Sequence, residues 1–208
     1  MGADCLHVID FEGHPRYGVV EYGVVTLTAA GIRDCQTRLC APVGDIPPAD
    51  SRIHGITTQQ TMGRAPFDAE YEGFVALRRT GLFCAHNAIV ESNLLRATWA
   101  CPPFCPDWAR EGEAIADWGP WLDTLKLSRD LFPEKECHAL GELSYDGVLA
   151  QRVKVVAAEH CPPDRARPHA ALYDAIATAL WLYEVVGWQT ALDWFAARAA
   201  PQAQAELF

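Results

Sequence analysis

Apolar and polar positions along this chain change period several times, and each change marks an element. Residues 5–11, 17–27 and 32–40 read as three strands, with Ala29-Ala30-Gly31 a turn short enough for antiparallel pairing. Asp45-Ile46-Pro47-Pro48 reads as a loop, and residues 57–62 and 67–79 as helical. A short buried strand over 82–85 is followed by a helix over 87–99, for which Asn87 is a good cap. The stretch 101–120 is rich in Pro, Trp and acidic residues without a clean period, and reads as an irregular loop. Residues 121–131 begin as a strand and end as a short helix, 139–156 suggest one or two helices, and 170–186 form an Ala- and Leu-rich helix. A further amphipathic helix covers 188–198, and no internal repeat is visible. Three strands followed by alternating strand and helix favour an α/β fold with a mixed sheet flanked by helices.

The first strand carries an anomaly. Leu6, Val8 and Phe11 make it apolar, yet Asp10 and Glu12 interrupt it two residues apart, so both project from one face of the sheet. Two like charges held that close raise each other's pKa unless something positive stands between them, and a divalent cation is the simplest such partner. Glu91 falls one turn inside the helix that starts at Asn87, near the carboxyl end of the 82–85 strand. Pro168 supports a helix start near residue 170. Five residues span about one and a half helical turns, so His169 is expected on the preceding loop or first turn and Asp174 inside the helix, reaching toward the metals.

Asp10-x-Glu12 near the start, His86-Asn87-Ala88-Ile89-Val90-Glu91 mid-chain and His169-x4-Asp174 near the end form an ordered combination. It resembles the DEDDh 3'-5' exonucleases of the DnaQ-like superfamily, ribonuclease H-like proteins that include the proofreading subunit of bacterial replicative polymerase. A lone Asp-x-Glu is weak; the three motifs in order are strong. The resemblance runs from about residue 5 to residue 186. Arg52-Ile53-His54-Gly55-Ile56-Thr57, Ala65-Pro66-Phe67 and Asp123-Thr124-Leu125-Lys126-Leu127-Ser128-Arg129 share in it.

The resemblance implies a ribonuclease H-like mixed sheet, three antiparallel strands plus parallel ones, in a catalytic domain over 1–187. A C-terminal helix and tail would follow over 188–208. It implies that Asp10 bridges two Mg2+ or Mn2+ ions, that Glu12 and Asp174 complete the first site, and that Glu91 supports the second. His169 would be the general base, and the product a nucleoside 5'-monophosphate released from the 3' end of single-stranded or frayed DNA. Phe11, Gly13 and His54-Gly55-Ile56 are candidates to line the terminal base, Asn87 to meet the nucleotide, and His86 to order the strand-to-helix junction. Glu21, in Val20-Glu21-Tyr22-Gly23-Val24-Val25, is read as structural and facing the sheet edge. Two departures stand out. Glu91 replaces the family's typical Asp, and Gly13-His14-Pro15-Arg16 leads at once to a new strand where the family often has hydroxyl residues and a longer loop.

Charge and composition narrow the picture. A formal charge of −10 argues against broad nonspecific duplex binding, which depends on many Lys and Arg contacts to phosphate, yet leaves room for gripping a few terminal nucleotides. Arg64, Arg78, Arg79, Lys126, Arg129, Arg152, Lys154, Arg165 and Arg167 are the candidates for a backbone track. At 208 residues the chain suits one domain. There is no apolar run of membrane-spanning length, and Met1-Gly2-Ala3-Asp4 lacks a secretory start, so a cytoplasmic protein without membrane contact is expected. The 8 cysteines are scattered and read as reduced, buried thiols. Cys101, Cys105, Cys137-His138 and Cys161 fit no strong zinc spacing. Gln204-Ala205-Glu206-Leu207-Phe208 resembles the Gln-x-x-Leu-Phe peptide by which bacterial proteins bind the sliding clamp; a frayed terminal helix is the alternative.

Two other functions stay open at this level. An RNA 3'-end-trimming exoribonuclease would use the same five groups, and no residue identifies itself as a reader of the 2'-hydroxyl. A non-catalytic nucleic-acid- or clamp-binding module would make Glu91 the mark of a degraded site.

Overall fold

The computed structural model describes residues 4–144 and 147–199. β1 (Leu6–His14), β2 (Gly18–Thr28) and β3 (Gly31–Leu39) form an antiparallel meander. Two short helices, α1 (Pro48–His54) and α2 (Thr58–Thr61), lead through a 3-10 turn (Phe67–Glu70) into α3 (Tyr71–Thr80). β4 (Leu82–Ala85) and α4 (Ile89–Thr98) follow, then a separate hairpin of β5 (Phe104–Pro106) and β6 (Ala114–Ala116). β7 (Trp121–Asp123) returns to the main sheet and turns at once into α5 (Thr124–Leu131). α6 (Leu140–Ser144) and α7 (Gly147–His160) precede α8 (Ala171–Leu180), which widens into a π-helical turn (Trp181–Val186) before α9 (Trp188–Ala199).

The five-stranded sheet runs β3-β2-β1-β4-β7, with β1, β4 and β7 mutually parallel. This is the mixed, helix-flanked α/β sheet that the sequence implied. Alternation along the strands builds two cores. Leu6 and Val8 with Val25 and Leu27 face Leu172, Ile176 and Leu180 of α8, while Ile9 and Phe11 with Tyr22 and Val24 face Phe67, Phe74, Leu94 and Trp99. A slip of one residue in β1 would exchange the two sets, so burial on both faces pins the register. Every residue of α8 is buried, which makes it the central helix of the fold. A glycine lets it lie close. A Cβ at Gly23 would run into the backbone of Ala171 and Leu172.

The structure departs from the sequence reading in several places. α1 occupies residues placed in or beside a loop, because Pro48 sits in its first turn, where its fixed φ and missing N–H cost nothing. Asn87 does not cap α4. It adopts a left-handed φ of 69° in the turn, and Ala88 takes the cap position. Residues 101–120 hold the β5–β6 hairpin instead of being wholly irregular. Arg78, expected on a nucleic-acid track, is fully buried and donates to the carbonyls of Pro106 at 2.9 Å, Trp118 at 3.2 Å and Gly119. Its task is to satisfy carbonyls of that insertion, two of them, of Trp118 and Gly119, outside any strand.

All eight cysteines are free thiols, and among the described residues Cys101, Cys105, Cys137 and Cys161 form no metal-binding group. No helix of the described residues is long and apolar enough to cross a membrane. Gln204, Leu207 and Phe208 lie outside the described residues.

Candidate functional site

The carboxyl ends of the parallel strands β1, β4 and β7 come out on one side of the sheet, where open α/β sheets place their chemistry. Asp10 and Glu12 share the face of Leu6 and Val8, beneath the start of α8. Their partners across the ladder are Gly23 and Glu21. The pairing then shifts between Glu12 and Gly13, and a Cβ at Gly13 would strike the Gly18 carbonyl, so the hairpin closes tightly directly after the carboxylates.

α8 brings the third motif to the same place. Asp174 lies in its first turn, and His169 sits on the preceding loop with an exposed side chain, the first of the two places the spacing allowed. The His169 amide donates to Asp174 Oδ2 at 3.2 Å, and the His169 backbone takes a left-handed φ of 59°. One ligand atom each from Glu12, His169 and Asp174 lie within 4.8 Å of one another. Asp10 feels the charges of Asp174, Glu12 and Glu91 together. Glu91 enters from the first turn of α4, 4% exposed, after β4 has turned through His86 and Asn87.

Four buried or half-buried carboxyls within electrostatic reach of one another must hold protons or a cation. Burial first, and then the charges of Asp174, Glu12 and Glu91, push Asp10 well above the ordinary carboxylate range. Burial and the charges of Asp174 and Glu21 push Glu12 up to about 8, with Arg165 and Arg167 pulling the other way. Burial pushes Glu91 up to about 8, aided by Asp123 and Glu12 and opposed by a hydrogen bond from its own backbone. Glu91 Oε2 is buried with no hydrogen-bond partner. The clustered Glu12, His169 and Asp174, with Asp10 and the orphaned Glu91 oxygen within electrostatic reach, make a donor set for a hard divalent ion such as Mg2+ or Mn2+. The residues fit such an ion: it would satisfy the orphan and remove the mutual repulsion at once.

A second layer, invisible in the motifs, holds the His169 loop. Arg165 Nε donates to Glu21 Oε1 at 2.8 Å and its Nη2 to Glu21 Oε2, both side chains being buried. Arg165 was expected on a nucleic-acid track, and Glu21 at the sheet edge. Instead they form an ion pair between the inner strand β2 and the approach to α8. The only sequence hint was an Arg four residues before His169. Arg167 stays exposed and donates to the His54 carbonyl at 3.1 Å, its guanidinium occupying the space over Gly55.

The remaining candidates divide. Phe11 packs on Phe67 and Phe74 at ring-centroid distances of 5.2 and 5.7 Å, so its ring belongs to the core opposite the carboxylates. His54 is buried at the end of α1; its Nδ1 accepts from the Ile56 amide at 3.1 Å, and its Nε2 has no hydrogen-bond partner. His86 Nδ1 lies 3.0 Å from Thr124 Oγ1, tying the end of β4 to α5 rather than to the junction with α4. Asn87 is half-buried at the turn. A groove of about 470 Å³ beside Glu91 is lined by Ala88, Ile89, Ser92, Trp121, Asp123 and Lys126.

No family model matches the chain, and no curated protein matches it by sequence. Solved structures do. The chain is similar to one described as exonuclease X in complex with 5' overhanging duplex DNA, with a TM-score of 0.64 and 23% identity over 91% of this chain and 99% of the other. It is also similar to a 3'-exonuclease described in 3'-end-specific recognition of a histone mRNA stem-loop, with a TM-score of 0.59 and 16% identity over 88% and 83%. Cell-death related nuclease 4 matches with a TM-score of 0.57 and 15% identity over 88% of this chain and 64% of the other. At these identities the likeness establishes a shared fold.

Proposed function

We propose that this chain is a metal-dependent 3'-5' exonuclease of the DEDDh type, which hydrolyses the terminal phosphodiester bond at the 3' end of DNA and releases nucleoside 5'-monophosphates. One observation carries the reading. Glu12, His169 and Asp174 each offer a ligand atom within 4.8 Å of one another, and Asp10 and Glu91 lie within electrostatic reach, which supports reading the three separated motifs as one site. The nuclease descriptions of the structurally similar proteins support it.

In this reading Asp10, Glu12 and Asp174 would hold one divalent ion, and Asp10 with Glu91 would hold a second. When bound, such ions lower the pKa of a water and stabilise the attacking and leaving oxygens of an in-line displacement. His169 accepts the proton of the attacking water, the exposure of its ring giving it access to solvent. The bulged hairpin at Gly13 and the turn at Asn87 border the space for the last nucleotide. Glu91, one methylene longer than Asp, starts from a buried position inside α4, and its orphaned Oε2 supports its use as a ligand.

RNA is the second reading, favoured by the histone mRNA stem-loop described for one similar protein, while duplex DNA is described for another. Digestion of 3'- and 5'-labelled DNA and RNA oligonucleotides with and without Mg2+ or Mn2+ separates the two. Mononucleotide release from the 3' end that stops with chelator is the expected result; metal-independent cleavage or none overturns the reading. Single-stranded DNA ends are the proposed partner. A sliding-clamp contact through Gln204, Leu207 and Phe208 is proposed from sequence alone, and deletion of residues 204–208 should abolish clamp affinity.

A further inference from the structure

The backbone that leaves His169 toward α8 is gripped by a single buried ion pair. Arg165 is 5% exposed and Glu21 2% exposed. Besides its two bonds to Glu21, the Arg165 guanidinium donates to the His54 carbonyl at 2.6 Å and to the His169 carbonyl at 3.2 Å. Glu21 Oε2 in turn accepts from the Ala171 amide at 2.9 Å. The carbonyl of residue 169 and the amide of residue 171 are therefore anchored to the same pair. Held on its carbonyl side by this pair and on its amide side by Asp174 Oδ2, His169 keeps a left-handed φ of 59°, a conformation unfavourable for a residue with a Cβ, which persists only where its surroundings impose it.

Stability alone does not explain such a device. A buried ion pair can often be replaced by apolar residues of similar volume without loss, because desolvation offsets the attraction between the charges. The flat fork of arginine does what an apolar side chain cannot: it reaches three backbone and side-chain acceptors in a fixed geometry. We infer that Arg165 and Glu21 are positioning residues that set the place and direction of the His169 imidazole over Glu12 and Asp174. The inference rests on the reading of His169 as the base of a nuclease site.

The test is a cycle on the full chain. Arg165→Met and Glu21→Gln together remove both charges at similar volume and leave no unpaired ion. Hydrolysis of a labelled oligonucleotide should fall about 100-fold, as a displacement of a reacting group by about 1 Å can do, while the Mg2+-induced rise in melting temperature is retained. The same pair of changes in a His169→Ala background should alter the residual rate by less than about threefold, because there is no imidazole left to misplace. Full activity of the pair-replaced chain overturns the inference, and so does an equal loss with and without His169, which would mean general damage. Should the pair-replaced chain not fold, Arg165→Lys keeps the charge and loses the fork. A folded Lys variant with reduced rate supports the inference, and wild-type rate overturns it. An unmodified chain that hydrolyses nothing would instead refute the nuclease reading, before any variant is compared.

Discussion

Magnesium affinity should climb steeply with pH, because the carboxyls that would hold the ion are protonated near neutrality when nothing positive is bound. Glu12 and Glu91 are each pushed up to about 8. At pH 7 a group of pKa about 8 is protonated about ten to one, so displacing its proton weakens apparent affinity about tenfold, and two such groups about 100-fold. One unit lower each factor grows tenfold again, so apparent affinity should rise roughly 100-fold from pH 6 to pH 7. Asp10, raised well above the ordinary range, acts in the same direction. A factor of 100 corresponds to about 2.7 kcal/mol. At roughly 2–4 °C per kcal/mol for a chain of this size, the Mg2+-induced melting shift should grow by about 5–10 °C between those two pH values.

The cation-free protein should respond in the opposite sense. These carboxyls have folded pKa values above their unfolded ones, so their contribution to stability is fully present below about 4.5 and is lost as pH rises through about 8. Thermal melts with chelator and with saturating Mg2+ across pH 5 to 8.5, and calorimetry in buffers of different ionisation enthalpy to count protons released, measure both effects. An affinity flat from pH 6 to 7, no proton release, or a full Mg2+ shift in Asp10→Asn would refute the reasoning.

Three further outcomes follow from particular residues. His169→Asn should lower hydrolysis by about 100- to 10,000-fold, the range for a missing general base, while the Mg2+ melting shift stays within error of wild type. Glu91→Leu should abolish hydrolysis yet stabilise the chelated protein by about 1–3 kcal/mol in urea melts, since it removes a buried carboxyl oxygen with no partner. Gly23→Ala should cost roughly 1–3 kcal/mol and also lower the rate, because its Cβ would push Ala171 and Leu172, and Asp174 with them, away from Asp10; unchanged unfolding and activity would contradict the close approach of α8.

Much of the chemistry was legible along the chain. Residues two apart on a strand must share a face, so Asp10 and Glu12 were bound to project together whatever surrounded them. The five-residue gap between His169 and Asp174 likewise pointed to a loop or first-turn residue followed by a helical one, and the helix begins between them at Ala171. The succession of strands and helices, the two-part stretch of β7 and α5 and the helical nature of α8 could be read from period and composition, because these are local signals. Arg78 and Arg165 could not. An arginine has the same appearance in a sequence whether it faces phosphate or a buried carbonyl, and only the folded chain showed that Arg78 serves the 101–120 insertion and that Arg165 meets Glu21 from 144 positions away. Asn87 in a left-handed turn instead of a cap is a smaller case of the same kind, decided by how β4 must redirect the chain into α4. The sequence by itself determined that Asp10 and Glu12 share a face and that Asp174 lies inside a helix, since both follow from short-range periodicity. Tertiary structure decided that Glu91 is buried within electrostatic reach of Asp10 and Glu12, and that a distant ion pair holds the histidine loop, since both depend on contacts between segments that no local pattern encodes.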